Sequence, residues 1–237
     1  MNEASLVVSF YLNCPEMRLN INMRTVFFIL IAYTTLAQNP YTDVYKESAW
    51  AERDNWQKPQ EIIRLMNIKA GSVVADVGCH EGYMTVKLAN VVGRSGKVYA
   101  VDVEQYKLDR LKNHIESREI MNVSLVKGDY DNPKLPAGSL DAVIILDTYH
   151  EMDDHDAILQ HIKISLKPGG RLVICEPIAD ERKDLSRAEQ ERKHELAMKF
   201  ALEDLEKAGF RVITRQENFV DRTAVKGDRM WIVVAKR

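Results

Sequence analysis

The chain has 237 residues, 46% of them hydrophobic and 29% charged, with a formal net charge of −2 and a pI near 6.3. That is the composition of an ordinary globular protein, long enough for one domain plus extensions. It carries no surplus of positive charge to recruit nucleic acid, and its three cysteines lack the C-x-x-C spacing of a zinc site or redox pair. In chain order, the first feature is an apolar run from Thr25 to Ala37, preceded by Met23-Arg24 and ending in small residues. A short positive start, an apolar core of ~13 residues and a Thr-x-Ala ending match a secretory signal peptide, and the run is short for a membrane span. Its position after 22 other residues suggests that Met23 is the true start. A non-cleaved anchor and a packed amino-terminal helix are the alternatives, so membrane contact is expected only transiently, through this segment.

Residues 38–56 read as a polar and aromatic arm containing Tyr41, Tyr45 and Trp50. The region from 57 onward alternates helix and strand patterns. Pro59 lies in the first turn of a helix running to about Asn67, where its missing amide costs nothing. Ser72–Val77 reads as a strand buried on both faces, followed by a helix over Tyr83–Val92 and a strand over Lys97–Asp102. Lys107–Arg118 reads as helix, Val123–Lys127 as strand, Leu140–Leu146 as strand and Asp156–Leu166 as helix, ending at the turn Lys167-Pro168-Gly169-Gly170. Arg171–Cys175 is the fifth expected strand. One long helix is expected over Arg187–Lys207 because Ala197, Ala201, Leu205 and Ala208 recur at near-helical spacing. Phe210–Arg215 and Met230–Ala235 close the chain as strands, and the short linker between them favours an antiparallel return over a crossover. This pattern predicts an α/β fold, a doubly wound, mostly parallel sheet of seven strands. In that sheet Cys79 and Cys175 sit on strands separated by one other, roughly 9–10 Å apart and too far for a disulfide.

The stretch Val73–Asp102 carries the chemistry. A strand ends in Asp76-x-Gly78-x-His80-x-Gly82, a helix follows, and the next strand ends in Asp102. Gly78 and Gly82 permit a sharp turn and close approach of the backbone to a ligand. Asp102, about 20 residues on, is suited to accept from ribose hydroxyls. An acid in the turn would repel a pyrophosphate, while a ligand bearing ammonium and sulfonium groups suits it.

This pattern resembles the D/E-x-G-x-G-x-G motif of class I S-adenosylmethionine-dependent methyltransferases, with His80 where the family usually has its middle glycine. V-K-G-D129-Y, L-D-A-V-I-I-L-D147-T-Y-H150-E, L-K-P-G-G-R-L and E-K-A-G-F extend the resemblance over roughly residues 41–237. The resemblance implies strand order 3-2-1-4-5-7-6, with the last strand antiparallel, and S-adenosyl-L-methionine as cofactor. It implies that Gly78 and Gly82 line the methionine moiety and that Asp76 holds its ammonium group. It further implies Asp102 on the ribose, Asp129 and Tyr130 at the adenine, and Asp147 beside the methyl group. His150 is the candidate base because its ordinary pKa lies near neutrality, Tyr149 a candidate wall of the acceptor pocket, and His194 a residue of the substrate lid. His155 and His161 read as surface positions. Asp147, Asp153 and Asp154 could gather as hard-cation ligands, but the last two equally suit a helix amino terminus, and no metal is expected. The expected partner is a small-molecule methyl acceptor of unidentified structure. Two alternatives stay open: a protein carboxyl methyltransferase, since G-Y-M-T-V-K-L-A is similar to the isoaspartyl branch, and an exported binding module that no longer turns over. The signal-like segment points outside the cytoplasm and the supply of donor points inside it.

Overall fold

The computed structural model describes residues 44–237. The signal-like run, Met23, Tyr41 and Cys14 lie outside these residues. The arm is more than a polar connection. It contains a helix, α1 (Trp50–Gln57), followed at once by α2 (Pro59–Met66), with Lys58 between them in a left-handed conformation at φ 54°. Arg53 on α1 is buried, its guanidinium 4.1 Å from the centroid of the Tyr83 ring. Amphipathic helical spacing in W-A-E-R-D-N-W-Q is masked by the charged residues that face solvent.

The sheet then builds through β1 (Val73–Val77), α3 (Tyr83–Val92), β2 (Lys97–Asp102), α4 (Gln105–Ser117), β3 (Val123–Lys127) and β4 (Leu140–Leu146). It continues through α5 (His155–Ser165), β5 (Leu166–Ile178), α6 (Arg187–Glu191), α7 (Met198–Lys207), β6 (Arg211–Arg222), α8 (Thr223–Lys226) and β7 (Asp228–Lys236). The strand order is β3-β2-β1-β4-β5-β7-β6, with β7 antiparallel to both neighbours, as the resemblance implied. Val74 pairs with Val98 on one side and Ala142 on the other, so β1 and β4 are adjacent and the chain order reverses between them.

Side chains alternate between the two faces of the sheet. Val74, Ile144, Val173 and Ile232 pack into one core layer with Leu88 and Ile62. Ala75, Val143, Ile174 and Val233 pack into the other with Leu159, Ile162 and Leu205. Burial on both faces explains why the strands read as unbroken apolar runs. Cys79 and Cys175 are both free and buried. Among the described residues no helix is long and apolar enough to cross a membrane.

Three expectations need correction. The helix expected over Arg187–Lys207 is two helices, α6 and α7. Between them Leu196 is drawn into the core, and its N–H donates to Pro177 O at 3.0 Å. Gln190 fastens the break, donating to the carbonyls of Arg182, Lys183 and Leu185 and accepting from the Ala197 N–H at 2.7 Å. β5 begins at Leu166, with a bulge between the pairs Leu140–Leu166 and Ala142–Arg171 that absorbs the Pro-Gly-Gly turn. β6 runs on to Arg222 through a second bulge between Gln216 and Val220. That extension carries Arg222 to the end of β4.

Candidate active site

The carboxyl ends of β1 and β4 part at the reversal in strand order, and the turn after β1 closes against the turn after β4. Gly78 adopts φ 79°, and a Cβ there would lie 2.1 Å from Thr148 Cγ2. Gly82 opens α3 at φ 97°, and a Cβ there would lie 2.2 Å from Leu111 Cδ1. Neither position tolerates a side chain. The Gly78 and Cys79 N–H groups both donate to Val101 O at 2.9 Å, tying the turn to β2.

Asp102 ends β2 with its carboxylate buried. Its Oδ2 accepts from the His80 N–H at 3.0 Å and its Oδ1 from the Glu104 N–H at 2.9 Å. A carboxylate has about four acceptor positions, so two remain for hydroxyl groups of a ligand. His80 stands at φ 49° in the turn, and among the described residues its buried Nδ1 has no hydrogen-bond partner. Burial, with Lys107 nearby, lowers its pKa, so the ring is neutral at pH 7. His80 Nδ1 and the two open acceptor positions of Asp102 leave hydrogen-bonding capacity suited to a polar ligand.

Asp76 is buried within β1, and its Oδ2 accepts from the Thr85 hydroxyl at 2.6 Å. Burial pushes its carboxyl up to about 6, against the opposing hydrogen bonds from Thr85.

Across the mouth, Asp147 follows β4 at φ 57°. Its Oδ2 accepts from Arg222 Nη1 at 2.7 Å and from the Tyr45 hydroxyl at 2.8 Å. Burial would raise the Asp147 pKa, but the Arg222 guanidinium outweighs it, and the carboxyl lies well below the usual range. Arg222 also binds Asp228, and Lys226 donates to the Tyr45 hydroxyl. The Tyr45 ring stands 5.6 Å from that of His80. Tyr45 thus bridges the β1 turn and the β4 end.

Beyond Asp147, Glu176 on β5 is fully buried and organises the next turn. It accepts the N–H groups of Thr148, Tyr149 and His150 at 2.6, 2.8 and 3.3 Å, and it lies 2.5 Å from His150 Nδ1. Burial disfavours charge on His150, but the Glu176 and Glu151 carboxylates prevail, and its pKa is pushed up to about 10. A cavity of about 640 Å³ opens beside it, lined by residues that include Glu151, Asp153, Asp154, Arg187, Arg192 and Lys207.

A family model described as a methyltransferase domain matches residues 68–224. The chain belongs to this family of methyltransferase domains. It is 30% identical over 117 residues to a demethylmenaquinone methyltransferase from Geobacillus sp. (strain WCH70), covering 49% of this chain and 50% of that protein. A protein of the same name from Bacillus mycoides (strain KBAB4) is 31% identical over 121 residues, covering 51% and 50%. The chain therefore spans about half the length of the curated relatives it matches. The fold is shared with a SAM-dependent methyltransferase from Aquifex aeolicus, at a TM-score of 0.67 and 24% identity, covering 84% of this chain and 98% of that one. It is also shared with phosphoethanolamine N-methyltransferase 2 of Haemonchus contortus, solved with S-adenosyl-L-methionine, at a TM-score of 0.63 and 15% identity, covering 83% and 58%.

Within this methyltransferase domain, Asp76, Gly78, Gly82, Asp102 and Asp147 gather at one mouth. Asp129 and Tyr130 follow β3 and face solvent. Asp129 pairs with Lys134 at 2.9 Å, and Tyr130 is 65% exposed. Tyr149 is buried, with its hydroxyl on Asp204 Oδ2 at 2.8 Å, so it supports a cavity wall from beneath. Both ring nitrogens of His150 face carboxylates, and its raised pKa does not suit a general base. His155, expected at the surface, is buried with Nε2 2.9 Å from Tyr149 O. Asp154 caps α5 by accepting the Ala157 N–H at 2.9 Å, while Asp147 is committed to Arg222, so the three acids do not form one cluster. Sequence reasoning missed Tyr45, Glu176 and Arg222. Only Glu176 left a trace, as an acid closing an apolar strand.

Proposed function

We propose that this protein transfers the methyl group of S-adenosylmethionine to a small, polar acceptor. The carrying observation is the Asp102 carboxylate. It is buried at the end of β2, fixed by two backbone N–H groups, and keeps lone pairs for ribose hydroxyls. Gly78 and Gly82 keep the turn against the ligand free of side chains, and Asp76 supplies the negative charge that an α-ammonium group requires. Asp129 and Tyr130 are the candidates for the adenine edge and face.

The bound donor supplies a methyl group already activated by its sulfonium centre, so the protein's task is alignment and exclusion of water. Tyr45, held between Asp147 and Lys226, covers the mouth where the methyl group would emerge. The charged cavity beside His150 suits a polar acceptor better than the quinone named for the relatives. Because His150 keeps its proton at neutral pH, the acceptor is a nucleophile that does not depend on this ring as a base. The names of the relatives favour a small-molecule acceptor over a protein carboxylate. Residues 23–37 serve, in this reading, as an export signal ahead of an arm (38–56) and the methyltransferase domain (57–237). Amino-terminal sequencing of the mature protein tests that assignment, which fails if residues before Gln38 are retained.

The function is tested by calorimetric titration of the full chain with S-adenosylmethionine and S-adenosylhomocysteine. Micromolar binding of both is expected. A folded sample that binds neither at millimolar concentration would overturn the reading and revive that of a non-catalytic binding module.

A further inference from the structure

Three side chains, two of which line the cavity, carry ligand chemistry that methyl transfer does not use. His150 and Glu151 lie in the turn after β4, and His194 lies in the break between α6 and α7. One ligand atom from each lies within 4.8 Å of the other two. Glu151 Oε1 stands 3.2 Å from His150 Nε2 and 2.5 Å from His194 Nδ1. We propose that His150, Glu151 and His194 form a binding site for a divalent first-row metal ion, zinc or iron(II). The site rests on this geometry alone and does not depend on the methyl-transfer reading.

Two imidazoles and one carboxylate are the donor set that such ions take with three protein ligands and an open position, the ion displacing to solvent the Nε2 proton that metal-free His150 holds. A tetrahedral ion with bonds of about 2.0–2.1 Å requires donor atoms roughly 3.3 Å apart. The His150–Glu151 separation of 3.2 Å is close to that value and the His194–Glu151 separation of 2.5 Å is shorter, so a side-chain rotation that draws His194 back from Glu151 completes the site. Glu151 and His194 have the freedom to move, being 54% and 63% exposed, while His150 is the fixed member at 5%.

Three further observations mark the site as built. Glu176, wholly buried, holds His150 Nδ1 at 2.5 Å and so turns Nε2 toward the other two donors. A carboxylate behind a ligating histidine fixes the ring and raises its basicity. His194 adopts φ 58°, a region that non-glycine residues rarely occupy unless the surroundings impose it. Those surroundings are the buried Gln190 and Leu196, which break the helix at the point where His194 swings toward Glu151. Finally, the cavity of about 640 Å³ adjoins His150 and Glu151, leaving room for water in the remaining coordination position.

The test is titration of the full chain, stripped with chelator, using zinc(II) and then cobalt(II) as a spectroscopic probe. The expected result is one equivalent of zinc bound tightly. Cobalt should show visible bands of nitrogen and oxygen ligation with no thiolate charge-transfer band. His194→Ala and Glu151→Gln, both at exposed positions, should each remove stoichiometric binding while the circular dichroism spectrum and thermal melt are preserved. Glu176→Gln should weaken binding on the order of 10–100-fold, as loss of an outer-sphere carboxylate does. Absence of stoichiometric zinc binding in the wild type, undiminished binding in His194→Ala, or a thiolate band pointing to a cysteine would each overturn the proposal.

Discussion

On the proposed reading, the buried carboxylate of Asp102 joins structure to ligand. It accepts from the N–H groups of His80 and Glu104, so it shapes the turn after β1 without any ligand. Asp102→Ala removes both bonds and, with them, the proposed ribose contacts. Charge-assisted hydrogen bonds contribute about 1.5–3 kcal/mol, so S-adenosylhomocysteine should bind roughly 10–100-fold more weakly. A smaller loss of folding stability should appear in urea unfolding. Unchanged affinity would remove the ribose assignment. Asp76 makes a prediction of a different kind, because burial has moved its carboxyl up to about 6. A bound ammonium group stabilises the ionised form, so the pKa falls in the complex. Affinity should therefore be constant above pH 7 and decline as pH drops through about 6, with a proton released on binding at that pH. Calorimetry in buffers of different ionisation enthalpy between pH 5 and 8 measures this directly. A flat profile would mean that Asp76 serves Thr85 and the strand rather than the ligand.

At the scale of elements, the arm and the carboxyl-terminal hairpin meet at Asp147, at the end of β4. Tyr45 reaches from ahead of α1 to Asp147, and Arg222 and Lys226 arrive from the end of β6 and from α8. Tyr45→Phe keeps the ring over His80 and loses the bond to Asp147, whereas Tyr45→Ala loses both. Release of S-adenosylhomocysteine, followed by stopped-flow fluorescence, should be faster by about tenfold in Tyr45→Ala, equivalent to about 1.4 kcal/mol, and less affected in Tyr45→Phe. Equal rates in all three proteins would show that the arm is not a cover. None of this contact was legible in the sequence, because it depends on pairing between residues 102 and 75 positions apart. Local signals fared better. The buried strands, the glycine turn and the end of β2 at Asp102 declared themselves through apolar runs and short spacings. The helix break before α7 did not, since Ala197, Ala201 and Leu205 keep a helical period on either side of it. What stops the helix is burial of Leu196 and the bonds of Gln190, which are tertiary facts.

For the whole molecule, the antiparallel return of β7 does more than complete the sheet. It sets Asp228 beside Arg222, and Arg222 beside Asp147, making a buried ion network between the last hairpin and the centre of the sheet. Arg222 is 2% exposed. Arg222→Met would fill much of the same space with an apolar chain and leave two acids without their shared partner. Removing one member of a buried network generally costs about 3–5 kcal/mol. The pH dependence separates this loss from a packing defect. In the wild type, Arg222 holds the Asp147 pKa below its unfolded value, so that contribution is present above about pH 4 and disappears on acidification below it. In the variant, burial acts on Asp147 with far less opposition, and Asp228 also loses the guanidinium that restrains its burial-raised pKa. Both acids then bind protons more tightly folded than unfolded. The deficit relative to wild type should be largest at pH 7–8 and shrink steadily toward pH 5, as urea unfolding at several pH values would report. A deficit that does not change with pH would assign the cost to packing alone and sever the electrostatic link between the carboxyl-terminal hairpin and the site.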